Sequence, residues 1–183
     1  MSQALPGLHS PAVGFEVPLE MLAACHGRVQ HQCATLRRLA SHLRTHGPDQ
    51  PAQEAARAIM RYFDSAAHHH HEDEEQDLFP ALLEAVAGSD AVCLRQLTAS
   101  LQADRRELEQ HWADLRPRLL RVSDALVDHL DTEVVEAFVG RYEDHIRREE
   151  ADLLPMAARL LSDAELDRIG QAMRARRQTI DGT

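Results

Sequence analysis

The chain has no lysine. All 20 of its basic residues are arginine, set against 30 Asp and Glu, for a formal net charge of −10. That balance, without a clustered basic footprint, argues against a nucleic-acid or anionic-membrane partner, because phosphate contacts need grouped positive charge. No uncharged apolar run reaches the roughly 18 residues of a membrane span, and the opening MSQALPGLHS has no basic region followed by an apolar stretch. The chain is therefore expected to be soluble, unexported and cytoplasmic. Cys25, Cys33 and Cys93 are odd in number and form no C-x-x-C pair, which argues against a disulfide framework and a structural zinc ribbon. Cys33 fits a helix core position as a small buried thiol. No segment shows the period-two alternation of a strand.

What the chain does have is helical periodicity, almost uninterrupted. Leu22, His26, Val29, Cys33, Leu36, Ala40 and Leu43 recur at three and four to form a bundle seam that turns His26 inward. Pro18 suits a first helical turn and Gly47-Pro48 a stop, giving helix 1 at about 18–46. Helix 2 starts near Pro51 and carries Ile59, Phe63, His70, Glu74 and Leu78, with Pro80 kinking or breaking it before a last turn to about Ala87. Gly88-Ser89-Asp90 reads as turn and cap. Helix 3 follows with Leu94, Leu97, Leu101, Leu108, Trp112, Leu115, Leu119 and Val122 on one face, position 105 among them, and a bend expected at Pro117. Helix 4 begins near Asp131-Thr132 and carries Val135, Phe138, Tyr142, His145, Glu149 and Leu153. Ser162-Asp-Ala-Glu165 reads as a capping box opening a short fifth helix to about Gln178. The expected fold is all-α: an up-down-up-down four-helix bundle over 18–161, an irregular arm over 1–17, and a C-terminal helix and tail over 162–183 packed on the bundle.

One segment occurs twice. His70-His-Glu-Asp-Glu74-Glu75-Gln-Asp-Leu78-Phe79-Pro80 returns as His145-Ile-Arg-Arg-Glu149-Glu150-Ala-Asp-Leu153-Leu154-Pro155. On a helix, residues i and i+4 share a face with Cβ atoms about 6 Å apart, so each histidine and its glutamate can reach a common point. Burying His26, His70, Glu74, His145 and Glu149 along seams costs several kcal/mol per unpaired charge, and a cation removes that cost. Imidazole and carboxylate without thiolate favour iron, manganese or zinc. The alternative is a hydrogen-bonded His–Glu network without metal.

These residues resemble the hemerythrin-like HHE cation-binding domains over about 18–160. Cys25-His26-Gly-Arg-Val29 is similar to that family's first-helix histidine with its apolar residue three on. The two H-x-x-x-E-E-x-x-L-[FL]-P segments are similar to its second- and fourth-helix signatures. The resemblance implies two iron ions inside the bundle. Glu74 and Glu149 would bridge them, His26 and His70 would serve one metal, and His145 the other. The departure is on helix 3, where family members usually carry a histidine and Ala103-Asp104-Arg105-Arg106-Glu107-Leu108 has Arg105. A guanidinium is not a ligand, yet it pairs with carboxylates and can replace one metal's charge, so one ion is favoured over two. The other reading turns Arg105 outward on a rotated helix 3.

His68, His69 and His71 step around the helix by about 100° each, so at most one shares the face of His70 and the others are expected in solvent. His71 with Glu75 is the rival register for the site; the proline offset of the second copy favours His70 with Glu74. Glu72, Asp73, Glu75, Asp77 and Glu150 are expected on a solvated acidic face, with Glu75 or Glu150 available as acceptors behind the ligands. His9, His31, His42, His46 and His129 are expected on the surface, and His111 is not expected to substitute for Arg105. The resemblance implies handling of iron, dioxygen, nitric oxide or peroxide. A binder or sensor of these comes before an enzyme, since no further acid–base pair or cysteine motif is visible. An iron-dependent oxidoreductase, an iron donor for cluster repair, and a metal-free structural or partner-binding bundle stay open.

Overall fold

The computed structural model describes residues 14–86 and 88–178. Most of the expected N-terminal arm, with His9, and the tail beyond Gln178 lie outside the described residues. The described residues are helical with no strand. Helix α1 spans Pro18–His46 with Pro18 in its first turn. Gly47, at φ +67°, donates its N–H to Leu43 O at 3.0 Å and ends the helix in a conformation that side-chain-bearing residues rarely adopt. Asp49 then caps α2 (Gln50–Asp64), accepting from the Ala52 N–H at 3.0 Å.

The second rod of the bundle is not one helix interrupted only near Pro80. It also breaks at Ser65 (φ −131°, ψ −75°), whose hydroxyl donates to Arg61 O at 2.6 Å in competition with the helical ladder. It resumes as α3 (Ala66–Asp73), passes through a π-helical turn at Glu74–Leu78, and ends as α4 (Phe79–Ala85). Proline lacks an N–H and its ring collides with the carbonyl four residues back. Here the strain is relieved by widening one turn: Phe79 N–H bonds Glu74 O, five residues back, just before Pro80. The second copy does the same, since Leu154 N–H bonds Glu149 O ahead of Pro155, within a π turn at Glu149–Leu153 that joins α6 (Thr132–Arg148) to α7 (Leu154–Leu160). Such single π turns are often found at functional sites.

Helix α5 (Ser89–Ser123) continues through Pro117 to Ser123. Asp131 caps α6 by accepting from Glu133 N–H at 2.9 Å. At the start of α8 (Asp163–Gln178), Ser162 N–H donates to Glu165 Oε2 at 2.7 Å and Glu165 N–H donates back to Ser162 Oγ at 3.4 Å, the reciprocal cap read from the sequence. The four rods pack in a ring, each against its chain neighbours and α1 against α6, while α8 lies on α1 and α3. Gly170 of α8 lets the chain pass closely: a Cβ there would meet Phe15 O at 2.0 Å. No helix among the described residues is long and apolar enough to cross a membrane.

Two apolar clusters fill the bundle, one around Leu36, Ile59, Phe63, Leu115 and Phe138, the other around Leu22, Leu78, Leu94, Leu101 and Leu153. A polar layer separates them. On α1, Leu22 and Val29 belong to opposite clusters with His26 between; on α5, Leu101 and Leu108 do the same around Arg105. The fold therefore holds its charged residues in a slab walled above and below by hydrocarbon, where charge interactions are strong and unpaired charge is costly.

Candidate metal centre

His26, His70, Glu74 and Glu149, from three of the four rods, each offer a ligand atom within 4.8 Å of every other. All four are at most 2% exposed. His26 Nε2 lies 3.1 Å from Glu149 Oε2, and His70 Nε2 lies 3.9 Å from both Glu74 Oε2 and Glu149 Oε2. Close as they are, His26 Nε2, Glu149 Oε2 and Glu74 Oε1 make no hydrogen bond. Polar atoms this deep are ordinarily satisfied, so converging unpaired nitrogen and oxygen atoms fit a cation that takes their lone pairs. The donor set suits iron, manganese or zinc.

His145 stands beside this group and not in it. Its Nε2 is 2.9 Å from Glu149 Oε1, the oxygen turned away from His26. Behind it Asp104 Oδ2 lies 3.7 Å from Nδ1, and Asp104 is itself held by Arg141 at 2.8 Å and by Arg148. Arg105 fills the remaining side. It is 2% exposed, pairs with Glu74 and lies 3.4 Å from Glu149 Oε1. It also forms an ion pair with Glu75 Oε1 at 2.9 Å and donates to His71 O at 3.1 Å, and its guanidinium carbon lies 4.9 Å from the Phe79 ring centroid. The outward, solvent-reaching Arg105 is thereby ruled out.

Burial alone would raise the Glu149 carboxyl, but the charge of His145, with His26 and His70 close beside the same carboxylate, holds it well below the usual carboxylate range. Glu74 goes the other way: burial and the charge of Glu149 push it up against the opposing pull of His70 and Arg105. For His70, burial favours the neutral ring and is outweighed by the charge of Glu74 and by contacts with Cys25 and Glu149, which take it up to about 10. Two carboxylates, Arg105 and one imidazolium close to neutrality; a divalent cation would displace the proton from His70.

The chain belongs to the hemerythrin HHE cation-binding family. A model of that domain matches residues 17–157, a span that holds His26, His70, Glu74, Arg105, His145 and Glu149. An uncharacterized protein of Haemophilus influenzae (strain ATCC 51907 / DSM 11121 / KW20 / Rd) is 34% identical over 161 residues, 88% of this chain and 90% of its own length.

Of the three histidines flanking His70 in this hemerythrin domain, His71 is the one that turns inward: its Nε2 is buried without a hydrogen bond, and its ring stacks on Tyr142 at 6.2 Å and meets His145 edge-on at 5.7 Å. The buried stripe of a core helix is at least about 100° wide, so successive residues can both face inward. One expectation needs correction. Asp73 is not on a solvated face but fully buried, paired with Arg177 at 2.6 Å and with Arg176, both from α8. No spacing in the sequence points to that clamp. Glu75 and Glu150 do stand behind the site, Glu75 on Arg105 and Glu150 Oε1 at 3.2 Å from His26 Nδ1. His68, His31, His46 and His129 are exposed.

Proposed function

We propose that this hemerythrin domain holds one non-haem metal ion, iron by its family, through His26, His70, Glu74 and Glu149, and that it binds or senses iron, dioxygen, nitric oxide or peroxide. The observation that carries the reading is the convergence of unpaired imidazole and carboxylate atoms in a layer sealed by hydrocarbon. When bound, such an ion supplies a redox-active Lewis acid. Glu150 orients His26 from behind, and Asp104, fixed by two arginines, does the same electrostatically for His145. Arg105 supplies the charge that a second ion would bring, and its five contacts leave it no room to leave the slab. One ion per chain is the consequence. We place the protein in the cytoplasm and put binding before catalysis; among the described residues no helix is long and apolar enough to cross a membrane.

The metal-free bundle is the second reading, favoured by the direct Arg105–Glu74 pair. Element-resolved metal analysis after chelator-free purification decides between them. About one iron per chain is the expected result, and none would leave a structural domain.

A further inference from the structure

A small cavity of about 90 Å³ opens between the second rod, α5 and α6, walled by Phe63, Ala67, Leu108, Trp112 and Tyr142, with His71 and the exposed His68 and Glu109 completing the lining. Here a cavity meets a buried polar atom without a hydrogen-bond partner, His71 Nε2. The His71 ring centroid is 5.7 Å from those of both His70 and His145. A single imidazole thus separates the cavity from the polar layer. Apart from His68, Glu109 and His71 the walls are aromatic and aliphatic, and the volume takes a few heavy atoms at most.

We infer that this cavity is the access route by which a small uncharged molecule of the diatomic class reaches the His/Glu centre, with His71 as the group that receives it at the inner end. The inference rests on the proposed metal centre for its purpose but not for its geometry. Inside the exposed His68 and Glu109 the walls are apolar and suit dioxygen or nitric oxide better than an anion, and the unpaired His71 ring nitrogen offers a polar contact at the inner end. Arg105, which donates to the His71 carbonyl at 3.1 Å, fixes the backbone that carries this ring.

Two measurements on the purified full-length chain test it. In crystals pressurised with xenon, an apolar probe independent of metal content, an anomalous peak is expected between Ala67, Leu108 and Tyr142, and Ala67→Leu should abolish it. An empty cavity in the wild-type chain overturns the inference whether or not metal is bound. In the iron-loaded, reduced chain, Ala67→Leu should slow nitric oxide association at least ~10-fold, equivalent to ~1.4 kcal/mol of added barrier, with iron content unchanged. His71→Leu, which keeps the volume filled should the first variant fold poorly, should hasten nitric oxide escape several-fold. Association unchanged in Ala67→Leu, or escape unchanged in His71→Leu, overturns the route. A chain that binds xenon as described but holds no iron removes the metal reading and leaves the cavity assignment standing.

Discussion

Arg105 Nη2 lies 3.4 Å from Glu149 Oε1, while the other oxygen of the same carboxylate faces His26 Nε2 at 3.1 Å. One glutamate is thus shared between a fixed guanidinium and the candidate metal position. Repulsion between that guanidinium and a second cation at ~4 Å is worth a few kcal/mol even at an effective dielectric near 20. Arg105→His should therefore raise iron from about one toward two per chain and bring in near-ultraviolet absorption of an oxygen-bridged ferric pair. Two irons already present in the wild-type chain, or no change in the variant, would show that the guanidinium does not exclude the second ion.

The paired glutamates separate ligands from their supports. Glu74 and Glu149 are fully buried in the cluster, whereas Glu75 touches only Arg105 and Glu150 only the back of His26. Loss of a supporting contact costs about 10–100-fold in metal affinity, so Glu75→Ala and Glu150→Ala should retain metal at micromolar excess while Glu74→Ala and Glu149→Ala do not. Metal analysis after desalting reads this out. The register is wrong if Glu75→Ala empties the site and Glu74→Ala leaves it filled.

Helix ends were legible because their signals are local: Asp131 and the Ser162–Glu165 pair cap where they stand in the chain. The seam through His26, His70, Arg105, His145 and Glu149 was legible for the same reason, since periodicity needs only neighbours. The break at Ser65 was not, because a serine bonds its own turn in many helices that continue. Nor was the Asp73 clamp, which joins residues a hundred positions apart through the packing of α8. Angle alone leaves open which flanking histidine joins His70, and the packing against Tyr142 and His145 selects His71.

The four-histidine run divides by angle. His68 is exposed and His69 partly so, and neither approaches the cluster. The double variant His68→Ala/His69→Ala should keep its specific metal with stability changed by less than ~0.5 kcal/mol, and should elute earlier from a nickel column. Loss of the specific metal would mean that the run, not the seam, holds it.

Asp73 precedes a candidate ligand and ties α8 to α3. Its carboxylate is fully buried against Arg176 and Arg177, whose side chains are 15% and 24% exposed. Removing a buried partner of charged groups costs about 3 kcal/mol, or roughly 6–12 °C of Tm for a chain of this length. Asp73→Ala should show that loss in a thermal melt, with metal content preserved. An unchanged Tm would make the clamp energetically idle.

His70 gives the pH dependence its sign. In the metal-free chain it is lifted from 6.5 to about 10, mainly by the charge of Glu74 working against burial. A group raised on folding contributes stability that is complete below its ordinary value and is lost as the pH climbs through the folded value. The metal-free protein should therefore lose thermal stability between about pH 6.5 and 10. Metal has to displace the same proton, so affinity should rise over that window by ~10-fold per pH unit for each proton released. Calorimetric titration at pH 8 in two buffers of different ionisation enthalpy should count at least one proton released per ion bound. The His70→Gln variant, whose amide carries no such proton, should bind more weakly with a flatter pH profile. No proton release, together with a metal-free Tm that rises from pH 7 to 9, would mean that His70 stands neutral in the slab and that Arg105 alone offsets the two glutamates.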